Sequence, residues 1–214
     1  MRRQADLQRW RGQAEAGVAR TSARRYWDPN VGGVVVNILM GEHYVSGSAD
    51  ETLATLLGSC VAACIRDPVA GIGGMNHFLL PFDAAGARTG DAGQMRYGTF
   101  AMERLINDVL AAGGRRERLE AKIFGGANVI KSSNPIGDAN AQFVRDYLRV
   151  EQIFVAAEDL GGSFPRRILF GVAKGTVQRL ELKRRPDMEI FGEELSYGAR
   201  LKDAQVEGTV ELFR

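Results

Sequence analysis

The stretch TLATLLGSCVAACIRDPVAGIGGMNHFLLP, residues 52–81, is the most informative segment of this chain. It contains two apolar runs, VAACI at 61–65 and MNHFLL at 75–80, separated by Asp67-Pro68 and a glycine-rich segment at 71–74. Short apolar runs bounded by turn residues are typical of buried strands. The stretch therefore predicts two buried strands that return on each other across a turn.

The paired strands would bring Cys60, which directly follows a Gly-Ser turn, close to His77. A cysteine reacts as its thiolate, and a neighbouring imidazole can both lower the pKa of the thiol and carry its proton to a leaving group. The pair is therefore a candidate nucleophile and general base. The alternative is structural, because most cysteines and lone histidines among apolar neighbours are core residues.

Six motifs stand out along the chain: LGSCVAACIRDP, GGMNHFLLP, RYGTFAMERLINDVL at 96–110, RRERLEAKIFGGANV at 115–129, IG..NA.FV at 136–144 and AEDLGGSFPRRI at 157–168. Together they resemble one protein family, CheD, the chemoreceptor glutamine deamidases of bacterial and archaeal chemotaxis. The resemblance extends over residues 30–185, and it implies an α/β (α+β) fold with mixed β-sheets layered with flanking α-helices in a single domain. It implies no metal and no organic cofactor.

The resemblance also implies a catalytic set of Cys60, His77 and a threonine a few residues before the cysteine. That threonine corresponds to Thr55, or, with the spacing of some family members, to the position of Ala54. The implied reaction is hydrolytic deamidation of glutamine side chains on methyl-accepting chemotaxis receptors through a cysteine thioester. Hydrolysis of glutamyl methylesters is a second activity that the resemblance suggests.

Three residue pairs complete the predicted site. Backbone N–H groups at Gly58-Ser59 are candidates for stabilising the oxyanion, because they precede the nucleophile in a turn. Glycines permit close backbone approach, so Gly125-Gly126 is predicted either to accept a substrate helix or only to form a turn. For Glu158-Asp159, the alternatives are orientation of the substrate and capping of the following turn.

Other functions remain open from the residues alone. One is a non-catalytic regulatory partner of a chemotaxis phosphatase or receptor, in which Cys60 is inert. Another is a cysteine protease or amidase that accepts free peptides or small amides. A zinc site formed by His43, Cys60, Cys64 and His77 is disfavoured, because their spacings match none of the usual ligand pairs.

Composition bounds the location and the partners. The chain has 214 residues with 45% hydrophobic content, enough to bury a core without disulfides. Its two cysteines lie in one predicted strand, which fits a reducing cytoplasm. No run approaches the roughly 20 apolar residues of a membrane span, and neither a secretory signal nor a nucleic-acid-binding module is predicted. The resemblance implies receptor cytoplasmic helices as partner, and a CheC-type phosphatase as a further one.

Charge and periodicity divide the chain. Residues 1–25 contain seven arginines and two acidic residues, which predicts a flexible basic arm at 1–26, with contact to an anionic surface as the alternative. A CheD-like domain at 27–185 and an acidic extension at 186–214 follow. The apolar spacing predicts a strand at 34–39, helices at 97–112 and 138–150, strands at 119–126 and 153–160, and a hairpin around residues 173–175.

Overall fold

Ten strands and two long helices make up the part of the chain that the computed structural model describes, residues 24–81, 91–129 and 136–182. The helices are α1 (Asp91–Ala111) and α2 (Ile136–Val150), with a short 3-10 helix at Arg116–Arg118. The predicted acidic extension and most of the predicted basic arm lie outside the described residues. The strands are β1 (Arg24–Asp28), β2 (Gly33–Asn37), β3 (His43–Ser46), β4 (Glu51–Leu57), β5 (Val61–Asp67), β6 (Ile72–Asn76), β7 (Glu120–Gly125), β8 (Phe154–Leu160), β9 (Arg166–Gly171) and β10 (Thr176–Glu181).

The strands form two mixed sheets of five strands each. Sheet A has the order β1-β2-β4-β9-β10, and sheet B has the order β3-β6-β5-β7-β8. In sheet A the pair β2 and β4 is parallel, and in sheet B the pair β7 and β8 is parallel, whereas the other neighbours are antiparallel. The mixed sheets expected from the family resemblance are thus confirmed.

Strand β5 shows how the layers are stacked. Val61 and Ala63 pack into a core cluster with the apolar residues of α1 and α2. Cys60 and Ala62 pack into a second cluster with the residues of sheet A. Because alternate residues of a strand point to opposite faces, a strand covered on both faces has a continuous apolar sequence. Sheet B is therefore the middle layer, between sheet A and the helices, and the predicted fold class is confirmed.

The hairpin of β5 and β6 differs in two respects from the prediction. The strand predicted at 75–80 already ends at Asn76, because beyond it only Phe78 pairs with the neighbouring strand, in an isolated bridge to Val61. The glycine-rich segment at 71–74 was expected to be turn, but β6 already begins at Ile72. A Cβ atom at Gly73 would lie 2.6 Å from the carbonyl oxygen of Ile65, and one at Gly74 would lie 2.5 Å from that of Tyr44. These two glycines are strand residues because the neighbouring strands approach too closely for a side chain.

The remaining elements follow the predicted order with shifted ends. Strand β1 begins at Arg24, within the segment assigned to the basic arm, and it pairs with β2 as an edge strand. Helix α1 begins at Asp91, earlier than the predicted start at residue 97. The prediction missed the beginning of the helix because these residues lack the apolar spacing of the rest. Within the described residues, neither helix has the combination of length and hydropathy that crossing a membrane requires.

Candidate active site

Three segments of the chain meet where β4 leaves sheet A and β5 begins sheet B. The turn at Gly58-Ser59 carries the chain from one sheet to the other, so Thr55 lies near the end of β4 and Cys60 directly before β5. His77 follows the last residue of β6. The predicted catalytic residues therefore come from both sheets and lie at one end of the space between them.

The pairing of the chain beyond β6 brings Cys60 and His77 together. Val61 and Phe78 form an antiparallel bridge, in which the N–H of each donates to the carbonyl oxygen of the other at 3.0 and 2.9 Å. The residue before Val61 and the residue before Phe78 are then diagonal neighbours on the opposite face, with Cα atoms about 7–8 Å apart. Cys60 and His77 thus share the face of sheet B that is turned toward sheet A.

Thr55 connects His77 to the main chain at the end of β2. Its Oγ1 hydroxyl donates to the carbonyl oxygen of Ile38 at 2.7 Å and lies 2.8 Å from Nδ1 of His77. A hydroxyl carries a single proton. Because that proton is directed to Ile38, Nδ1 of His77 donates to Oγ1, and the neutral imidazole is the Nδ1–H tautomer. Its Nε2 then has a lone pair that can accept a proton.

The surroundings of His77 keep the imidazole neutral. The residue is 6% exposed, and burial lowers its pKa to about 4, although the hydrogen-bonding carbonyl of Ile38 acts in the opposite direction. Within the described residues, Nε2 is buried and has no hydrogen-bond partner. At neutral pH, His77 is therefore an uncharged base with one ring nitrogen held by Thr55 and the other able to take a proton.

The phase of β4 distinguishes the two positions considered for the threonine. Leu53 and Leu57 pack into the core between the sheets. Thr55 lies two residues from each and points to the same face, whereas Ala54 points to the opposite face. In this chain, Thr55 is the residue that contacts His77, and its part in catalysis stays a prediction.

The glycine pair at the end of β7 lies against the main chain of the candidate nucleophile. The N–H of Gly126 donates to the carbonyl oxygen of Cys60 at 2.7 Å, and the N–H of Ala127 donates to that of Gly58 at 2.8 Å. A Cβ atom at Gly125, where φ is +111°, would lie 2.1 Å from the carbonyl oxygen of Cys60. The pair therefore positions the turn before β5, and a contact with substrate stays a prediction.

Asn140, near the start of α2, is a site residue that the sequence interpretation missed. Its side chain is fully buried, and its Oδ1 accepts a hydrogen bond from the N–H of Leu80 at 2.8 Å. Its Nδ2 donates to the carbonyl oxygens of Ser59 at 3.1 Å and Ile136 at 3.0 Å. One amide thus joins the segment before Cys60 to the segment after His77.

A sequence signal for Asn140 existed. It lies four and eight residues before Val144 and Leu148, on the inward stripe of α2, where these two residues are fully buried. A polar residue at such a position must find partners in the interior, because an unpaired buried amide is costly. The pattern marks Asn140 as a buried hydrogen-bonding residue, although it does not identify the partners.

The two carboxylates at the end of β8 are engaged in ion pairs. Glu158 pairs with Arg145 of α2 at 2.8 Å. Asp159 pairs with Arg166 at 2.8 Å and with Arg179 at 3.0 Å, and Arg166 is itself buried. These ion pairs give both carboxylates a structural role. A contact of Glu158 or Asp159 with substrate stays a prediction.

The second cysteine and the second histidine have other surroundings. Burial raises the pKa of the Cys64 thiol far above its usual range, although Lys122 acts in the opposite direction, so this thiol stays protonated. His43 is half-buried and lies in β3, and its Nε2 is 2.6 Å from Oδ2 of Asp108. No group of three or more metal-ligating side chains is found among the described residues.

The chain is similar to known proteins along most of its length. Residues 79–180 match the family model described as CheD chemotactic sensory transduction. A protein of Rhodopseudomonas palustris (strain BisA53) is 50% identical over 193 residues, which cover 90% of this chain and 90% of the relative. The chain belongs to the CheD family.

Other CheD relatives are similar over comparable lengths. A protein of Hahella chejuensis (strain KCTC 2396) is 46% identical and covers 90% of this chain and 91% of its own. One of Janthinobacterium sp. (strain Marseille) is 47% identical and covers 88% and 93%. All three relatives carry the name probable chemoreceptor glutamine deamidase CheD. The family resemblance carried by the sequence motifs is confirmed.

Proposed function

We propose that this chain hydrolyses glutamine side chains of methyl-accepting chemotaxis receptors to glutamate, with Cys60 as the nucleophile. Membership of the CheD family and the names of the relatives support the substrate. The observation that carries the chemistry is the chain of contacts from Ile38 through Thr55 to His77, which leaves Nε2 of a neutral imidazole as a base. Cys60 lies beside that base on the same face of sheet B.

The first half of the proposed reaction forms a thioester. Nε2 of His77 takes the proton of the Cys60 thiol, and the thiolate attacks the side-chain carbonyl carbon of the glutamine. The N–H groups of the turn at Gly58-Ser59 are the proposed donors to the oxyanion. When the C–N bond breaks, His77 gives the proton to the leaving nitrogen, and ammonia departs.

The second half restores the enzyme. His77 takes a proton from water, the hydroxide attacks the thioester carbon, and the C–S bond breaks to give glutamate. The proton then returns to the sulfur of Cys60, so the net change is one water consumed and one ammonia released. A glutamyl methylester would react in the same way with methanol as the leaving group, and this is the proposed second activity.

Thr55 has the proposed role of holding the imidazole. The positive charge that forms on His77 strengthens the hydrogen bond from Nδ1–H to Oγ1, because hydrogen bonds to charged groups are stronger than neutral ones. The carbonyl of Ile38 fixes the direction of the hydroxyl. Thr55 is thus proposed to stabilise the imidazolium as well as its tautomer.

Further predictions rest on the residues themselves and on the family resemblance. Substrate contacts of Gly125, Gly126, Glu158 and Asp159 are proposed from the chemistry and position of these residues, and a cytoplasmic location from the cysteine usage, whereas a CheC-type phosphatase as partner follows from the resemblance. So do the bounds of the domain at 27–185. The receptor is expected to present its glutamines on helices, so the substrate approaches as a side chain projecting from a helix.

The test is mass spectrometry of a purified chemoreceptor cytoplasmic fragment after incubation with this protein. Conversion of particular glutamines to glutamate is expected with the natural sequence, and loss of conversion is expected with Cys60→Ala and with His77→Ala. Cys64→Ala is the matched control, because it removes the other buried thiol and leaves the site intact. Conversion that survives Cys60→Ala, or that Cys64→Ala abolishes in a folded protein, would contradict the assignment of the nucleophile.

A further inference from the structure

Met40 lies in the tight turn that joins β2 to β3, and the main chain of this turn holds His77. The N–H of Glu42 donates to the carbonyl oxygen of Leu39 at 3.0 Å. The N–H of Gly41 donates to the carbonyl oxygen of His77 at 2.8 Å, and the N–H of His77 donates to that of Glu42 at 3.0 Å. The position of Met40 is therefore set by the same segment that positions the candidate base.

The side chain of Met40 contacts the thiol of Cys60. Sγ of Cys60 donates to Sδ of Met40 at 3.7 Å. Cys60 has no exposed surface, whereas Met40 is partly exposed and packs at the margin of the core between the sheets. The methionine thus reaches from the solvent-accessible margin to the sulfur of the candidate nucleophile.

This contact belongs to the resting thiol and is incompatible with attack on a substrate. A thioether is a weak acceptor and carries no proton to donate, so the contact is lost when the thiol becomes a thiolate. For attack, a carbonyl carbon must approach Sγ to about 3–3.5 Å. Cys60 has no exposed surface, so a carbon can reach Sγ only after a neighbouring side chain moves. Met40 contacts Sγ and is itself partly exposed, so it is a neighbour that can move toward solvent.

We propose that the Met40 side chain closes the approach to Cys60 in the resting protein, and that a substrate side chain reaches the thiol by displacing it. The inference rests on the proposed function in one respect, since it takes Cys60 as the nucleophile. Methionine suits this role because its side chain is unbranched, with three rotatable bonds, and changes conformation at low cost. Met40 acts here as a displaceable cover, in contact with the nucleophile but outside the proton transfers.

The closed site has a chemical consequence for selectivity. A substrate that binds only through a small amide cannot use other contacts to offset the displacement of Met40, whereas a receptor helix brings contacts outside the reacting side chain. The nucleophile is exposed when a receptor docks and is covered otherwise. The same cover limits oxidation of the thiol between turnovers, because oxidation depends on access and on thiolate character.

The test is the rate at which iodoacetamide alkylates Cys60, followed by peptide mass spectrometry at neutral pH. It needs no receptor, so it is independent of whether the protein deamidates. Met40→Ala is expected to raise the alkylation rate of Cys60 about tenfold or more, the factor for a closed state favoured by 1.4 kcal/mol. Met40→Leu keeps the volume of the side chain, and its rate is expected to stay within about threefold of that of the natural sequence.

The second thiol serves as an internal control. Cys64 is buried and stays protonated, so it remains unmodified in any variant that keeps its fold, whereas both cysteines react in a urea-denatured sample. If Met40→Ala exposes Cys64, the intermediate variant Met40→Val is measured instead, with an intermediate rate at Cys60 expected. Equal rates in the natural sequence and the folded smaller variant, or a leucine variant as fast as the alanine variant, would overturn the proposal.

Discussion

Replacement of Thr55 by valine tests the proposed role of its hydroxyl at nearly constant shape. Valine keeps the β-branched side chain that β4 accommodates and removes only the group that joins His77 to Ile38. The carbonyl oxygen of Ile38 then loses its hydroxyl donor, and Nδ1–H of His77 loses the hydroxyl oxygen as acceptor. Thr55→Ser is the matched control, because it retains the hydroxyl and removes a methyl group.

The magnitude follows from the contacts. A hydrogen bond to a group that becomes charged contributes about 1.5–3 kcal/mol, and each 1.36 kcal/mol corresponds to a factor of ten in rate. Thr55→Val is therefore expected to lower kcat about 10- to 150-fold by removing the acceptor of the imidazolium. It is also expected to lower the free energy of unfolding by about 1–3 kcal/mol, because a buried carbonyl loses its donor.

The assay is the rate of glutamine-to-glutamate conversion in a receptor cytoplasmic fragment at saturating concentration, beside urea unfolding of the same preparations. Thr55→Ser is expected to stay within about fivefold of the natural sequence in kcat. The reasoning is refuted if Thr55→Val, shown to be folded, retains the kcat of the serine variant. A loss in KM alone, with kcat unchanged, would also refute it, because the proposed contact acts on the proton transfers.

The remaining predictions concern pH, the buried amide and the glycine turn. Because the folded-state pKa of His77 is about 4 and its unfolded value is about 6.5, the unfolded state takes up the proton first as the pH falls. The free energy of unfolding should thus fall by on the order of 3 kcal/mol between pH 7 and pH 4. Urea unfolding of His77→Gln should lack this part of the pH dependence. If the unfolding free energy of the variant depended on pH as steeply as that of the natural sequence, the assignment to His77 would be contradicted. Asn140→Leu removes the side-chain partner of the buried N–H of Leu80 and of the part-buried carbonyl oxygens of Ser59 and Ile136, and it should cost about 2–5 kcal/mol in urea unfolding. Asn140→Asp keeps only the acceptor for Leu80 and places a second oxygen against the two carbonyls, so it should not restore the loss. A loss below about 1 kcal/mol in the leucine variant would show that the amide is dispensable. Gly125→Ala brings a Cβ atom against the carbonyl oxygen of Cys60 and should reduce both stability and the rate of deamidation. Gly161→Ala is the control, because Gly161 has φ +81° and open space around its Cβ position, so the change should cost only the backbone strain of about 1 kcal/mol. Similar losses of stability in the two variants would argue against the close contact at Gly125.

The central strands and both helices could be predicted from local pattern. The run VAACI is apolar at every position because β5 is covered on both faces, and such a run is typical of a buried strand. Apolar spacing of three and four marked the two helices, although their first turns were not predicted. The hairpin of β5 and β6 alone brings Cys60 near His77, so the candidate dyad followed from a contact between neighbouring strands.

The contacts that give the dyad its chemistry are of another kind. Ile38, Thr55 and His77 come from three separate strands or strand ends, and their meeting depends on how sheet A packs on sheet B. Met40 reaches Cys60 from the turn after β2, and Asn140 reaches Ser59 from a helix. No periodicity in a single segment encodes such meetings, because they depend on sheet order and layer stacking.

Sequence patterns alone predicted most of the strands, both helices, the family and the two residues of the candidate dyad, whereas β1 and β4 were not predicted. Local periodicity and turn residues are enough for these, since a strand or helix face is repeated every few residues. The packing of the two sheets was needed to show that Thr55 rather than Ala54 faces His77, that Nδ1 carries the ring proton, and that Met40 contacts the thiol. Each of these contacts joins groups that are distant in sequence, and they meet in the interior only because the two sheets pack against each other.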